Sequence, residues 1–82
     1  MKNIAPLQKA AIQAAKEKDW EKAVELNLKV LNEKPHDLNA LNRLALAQIQ
    51  LGNPDEAKVA LEKVLDLDKH NRIAQKNLER LK

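Results

Sequence analysis

His36 and His70 stand 34 residues apart, the kind of pairing that could offer two imidazoles to one metal ion. Nothing completes such a site: the chain has no cysteine, and no carboxylate is placed to join the two histidines. Both are therefore read as loop and capping residues, and no metal is expected. Lys9 and Lys16 are the candidates for a catalytic amine, which would need a desolvated pocket and a partner base. The sequence supplies neither, so no catalytic residue, cofactor or enzymatic activity is expected. Absence of cysteine also removes disulfides and thiolate nucleophiles. Trp20, the only aromatic residue, is assigned to packing at a turn rather than to a ligand platform.

The elements that position these residues read as helices. Eighty-two residues make one domain, which hides only about 60–65% of the surface its unfolded form exposes. Ala and Leu dominate the apolar content, Phe and Tyr are missing, and Gly52 is the only glycine, a composition that favours helix over strand. The N-terminus lacks the apolar run of a signal peptide, and no stretch approaches the roughly 20 apolar residues of a membrane span. A soluble, cytoplasmic protein is expected. The formal charge of +3 does not by itself demand an anionic polymer.

Apolar spacing predicts a first helix from Ile4 to Glu17, with Pro6 in its first turn and Leu7, Ala10, Ala11 and Ala14 on one face. A second follows Asp19 as N-cap, buries Ala23, Leu26, Val30 and Leu31, and ends before Pro35. Asp37 caps a third, whose Leu38, Leu41, Leu44, Ala45 and Leu51 recur up to a left-handed C-cap at Gly52. Asn53, with Pro54 next and Glu56 three residues on, predicts a capping box at the fourth helix. Ala57, Leu61, Val64 and Leu65 point inward from it, and Arg72–Lys82 forms a last helix. Ala47 is expected to tolerate substitution better than Ala57.

Laying Leu38–Asn71 over Ile4–Asp37 needs no gap and pairs Leu7 with Leu41, Ala11 with Ala45, Ala23 with Ala57, Val30 with Val64, Leu31 with Leu65 and His36 with His70. A two-helix period of this length belongs to helical solenoids. The second unit reads Leu41-x2-Leu44-Ala45-x2-Gln48, then Ala57-x3-Leu61, then Lys69; the first reads Leu7-x2-Ala10-Ala11-x2-Ala14, then Ala23-x3-Asn27, then Pro35. These motifs resemble the tetratricopeptide repeat family, whose pattern is W-x2-L-G-x2-Y, A-x3-F and P. Gln48 and Ala14 replace the large aromatic, Asn27 replaces an apolar residue and Lys69 replaces the closing proline, departures expected to weaken single contacts and not the register. The resemblance implies an all-α helical-hairpin solenoid: one domain, 1–82, of two 34-residue repeats, 4–37 and 38–71, and a capping helix, 72–82.

It also implies a concave face built by the first helix of each unit. That helix carries Lys9, Lys16 and Lys18 against Glu17 in the first unit and Arg43 alone in the second, so the groove is basic. The second helices are mildly acidic. Carried over position by position, the ligand-facing residues are Gln8, Lys9, Ile12, Asn39, Asn42, Arg43, Leu46, Ile49, Gln50, Ile73, Lys76 and Asn77. Asn can clamp peptide amides, and Arg can take a carboxylate with two hydrogen bonds. The specialised two-carboxylate clamp of some family members is not implied, because Gln8, Ile12, Arg43, Ile73 and Asn77 occupy its places. The resemblance thus implies a non-catalytic protein-interaction module that holds a peptide or helix, acidic in character. The alternative is a structural module that forms homo-oligomers through Ile12, Leu46, Ile49 and Ile73. Nucleic acid is disfavoured as a partner, since the groove has sparse cations and no stacking aromatics.

Overall fold

Five helices follow in order in the computed structural model, which describes residues 3–82: α1 (Ala5–Lys16), α2 (Trp20–Glu33), α3 (Leu38–Gln50), α4 (Pro54–Leu67) and α5 (Arg72–Arg80). Their ends follow from local chemistry. Asp19 accepts from the Lys22 N–H at 3.3 Å, Asp37 from Ala40 at 3.0 Å and Asn71 from Ala74 at 3.0 Å, each satisfying a free donor of a first turn. Gly52 has φ +79° and closes α3, with the Asn53 N–H reaching the Gln48 carbonyl at 2.8 Å. The same turn closes α1 at Lys18, φ +58°, with the Asp19 N–H on the Ala14 carbonyl at 2.9 Å. Lys18 thus takes without a glycine the left-handed conformation that its repeat-mate Gly52 takes freely.

The expected capping box at α4 is not formed. The Asn53 backbone N–H is already committed to Gln48, and its side-chain amide donates to Gln48 Oε1 at 2.8 Å instead of capping. Pro54 lacks an N–H, so α4 begins with one fewer donor to satisfy.

α3 packs against every other helix, and it touches α1 and α5 on one side while α2 and α4 do not approach each other. Short connections make successive helices antiparallel, so α1, α3 and α5 form an inner layer and α2 and α4 an outer one. Inner helices in contact and outer helices splayed give an array that curves toward the inner side. Its core is small and alanine-rich. Ala11, Ala45, Ala23 and Ala57 are all 0% exposed, which lets the helix axes approach closely. Leu61, Val30 and Val64 are the largest apolar side chains fully enclosed.

Ala47 is not a tolerant position: it is fully buried against Ala14 and Ala23 with Trp20 beside them. The central place of α3 leaves it little free surface. Trp20 packs there at the start of α2 and is partly covered. Leu51, counted with the apolar stripe of α3, caps its end and is exposed.

Candidate functional site

The inner layer gathers six of the residues assigned to ligand contact. Asn39, Asn42, Arg43 and Leu46 from α3 and Ile73 and Asn77 from α5 line one shallow depression of about 170 Å³. They meet because positions three and four apart share a face of α3 and the matching face of α5 lies alongside. The other six do not line it. Lys9 and Ile12 on α1, Gln50 at the end of α3 and Lys76 on α5 are exposed, and Ile49 is partly covered. Gln8 is committed elsewhere: its amide donates to Asp37 Oδ2 at 3.3 Å.

That contact has a repeat-mate. Asn42 donates to Asn71 Oδ1 at 3.3 Å, so the same position of α1 and of α3 reaches the residue that caps the next inner helix. Asn71 is further held by its own amide on Asp68 Oδ2 at 3.2 Å. Gln8 and Asn42 therefore fix the stacking of the inner layer as well as bordering it. Asn42 is 7% exposed, and its Oδ1 has no hydrogen-bond partner, a state that costs on the order of 1–3 kcal/mol.

Arg43 is the cation of the depression, and its support lies in a residue that sequence reasoning counted as a weak contact. Asn27, 0% exposed on α2, donates to the Ala23 carbonyl at 2.8 Å and accepts from Arg43 Nε at 3.0 Å. Both ends of its amide are satisfied, so Asn27 bonds across the α2–α3 contact instead of standing there as an unpaired polar group. Burial lowers the Arg43 pKa from its ordinary value, and the Asp37 carboxylate opposes that shift. The guanidinium remains charged, but it sits half-covered with its Nε anchored from behind. The signal for this partnership was present in the sequence: a polar residue on an apolar stripe, where its repeat-mate is Leu61, requires a buried partner.

His36 and His70 are exposed, each in its own loop. Among the described residues no three His, Cys, Asp or Glu side chains are grouped as metal ligands, and no helix is long and apolar enough to cross a membrane.

A family model described as a tetratricopeptide repeat matches residues 14–81. The chain belongs to the tetratricopeptide repeat family, whose members generally mediate protein–protein interaction and are typically non-catalytic. A stretch of 50 residues is 46% identical to the human protein named "FK506-binding protein-like". It makes up 61% of this chain and 14% of that relative.

Proposed function

We propose that residues 4–37 and 38–71, closed by the helix of 72–82, act as one module that holds an acidic peptide or helix segment along the inner face. The observation that carries this is the anchored Arg43. A cation that has already lost part of its water and is oriented through Nε gives up less on meeting a carboxylate than a freely hydrated lysine does. Ile73, 55% exposed, and Leu46 offer apolar contact beside it. Asn39 and Asn77 add amides suited to a peptide backbone. Lys9 and Lys76, exposed on the flanking inner helices, extend the positive charge; the remaining members of the face are Gln8, Ile12, Ile49 and Gln50.

Titration of the chain with a library of acidic peptides tests this. Arg43→Ala should weaken the best binder by about 1–3 kcal/mol, while Lys58→Ala on the outer layer should leave affinity unchanged. Affinity should also fall as salt is raised, because partly exposed charges are screened beyond about 8–10 Å. Equal effects of the two substitutions would remove the inner face from the function. A dimer in sedimentation that dissociates with Ile12→Asp or Leu46→Asp, with no acidic binder found, would instead favour self-association.

A further inference from the structure

Asn27 cannot turn its amide over without loss. Its Nδ2 donates to the Ala23 carbonyl at 2.8 Å, so Oδ1 is the end that faces α3, where it accepts from Arg43 Nε at 3.0 Å. A reversed amide would set oxygen against the Ala23 carbonyl and NH2 against the Arg43 N–H. The side chain, wholly enclosed, is thus a fixed acceptor aimed at one atom of α3.

A guanidinium can meet a carboxylate side-on, through Nε and one Nη, or end-on, through Nη1 and Nη2. Asn27 closes the first route. Among the described residues the two Nη groups have no partner, and neither is a buried unpaired donor, so the second route is open to solvent on a residue that borders the inner depression. Asp37, the carboxylate whose charge bears on Arg43, makes no ion pair with it. Its Oδ1 accepts from the Ala40 N–H at 3.0 Å and its Oδ2 from Gln8 at 3.3 Å, which commits it to the α3 cap and to α1.

We infer that Asn27 is a positioning residue that sets the specificity of the inner face: by holding Nε it turns both Nη groups outward, so that the face receives one carboxylate end-on. This rests on the reading of that face as a site for acidic peptides. A neutral amide suits the task, because it orients the guanidinium without cancelling its charge as an aspartate there would. Two parallel N–H donors also select a carboxylate over its amide analogue, whose NH2 would meet one of them donor to donor. The fold itself does not ask for Asn27: at the next junction Leu61 fills its place, and Asn77 that of Arg43.

The probe is an N-acetylated, C-amidated peptide with one Glu among Ala, Leu and Gln, titrated into the chain labelled at its arginines. The Arg43 Nη signals should shift and sharpen while Nε, already bonded, moves little, and the same peptide with Gln for Glu should bind roughly tenfold more weakly. Giving that Gln peptide a free C-terminal carboxylate identifies the source: restored binding assigns the receptor to chain ends, and no restoration assigns it to acidic side chains. Asn27→Leu, which copies Leu61, should weaken the Glu peptide roughly tenfold and erase its advantage over the Gln peptide. In an Arg43→Lys background, where there is no Nε to hold, the same substitution should change neither. Equal losses in both backgrounds, or Nε shifting as far as Nη in the unsubstituted chain, would overturn the proposal. Unchanged affinity in Asn27→Leu beside a loss in Arg43→Ala would overturn it and leave the acidic-peptide reading standing, whereas no response of Arg43 to any of these peptides would remove both.

Discussion

The junction of α2 with α3 and the junction of α4 with α5 are related by the same 34-residue step, and they differ at their centres. In the first, buried Asn27 holds Arg43; in the second, the same two places are Leu61, 0% exposed, and Asn77, 8% exposed. The cap contacts are shared: Gln8 reaches Asp37 as Asn42 reaches Asn71. A buried leucine stabilises by roughly 1.5–3 kcal/mol relative to leaving it exposed, and replacing a buried polar or charged pair by apolar residues is often neutral or favourable. The polar centre of the first junction is therefore not there for stability. It carries a cation to the inner surface, and the second junction shows that the architecture does not require one.

The largest effect should come from giving the second junction half of the first one's centre. Leu61→Asn places an amide in a site without Arg43's counterpart and should cost about 3–5 kcal/mol, read as the free energy of urea unfolding. Adding Asn77→Arg should recover part of that loss; no recovery would mean that the Asn27–Arg43 bond contributes nothing. Where the two units agree, the effects should agree: Ala23→Leu and Ala57→Leu should each cost about 1–3 kcal/mol through strain at a close helix crossing. A difference well beyond that range between the two melting temperatures would show that one crossing is looser than the other.

The smallest effects concern the two hairpin turns. Lys18→Gly should stabilise by about 0.5–1 kcal/mol, relieving a left-handed residue that has a Cβ, and Gly52→Ala should destabilise by a similar amount. No neighbour stands within 4 Å of a Cβ at Gly52, so backbone conformation alone sets the sign there. Opposite outcomes would mean that the turns are not equivalent.

The helices and their register were legible because alanine pairs, N-cap residues and Gly52 carry local information that recurs after 34 positions. Three features were not. Asn53 looked like a cap because it precedes Pro54, but a Schellman turn claims its N–H and Gln48 claims its side chain. Ala47 looked replaceable because burial at the centre of five helices depends on the helix on either side, not on the segment's own pattern. Asn27 looked like a defect because its partner, Arg43, lies 16 residues away on another helix. The six residues lining the inner depression follow from the register.

The exchange Asn27→Leu with Arg43→Asn, which rebuilds the first junction in the image of the second, separates stability from binding in one variant. Its unfolding free energy should equal or exceed that of the parent by up to about 2 kcal/mol, while its affinity for an acidic peptide that the parent binds should fall tenfold or more. Unchanged affinity for that peptide, in a variant that remains folded, would contradict the assignment of Arg43 as the cation that receives the ligand.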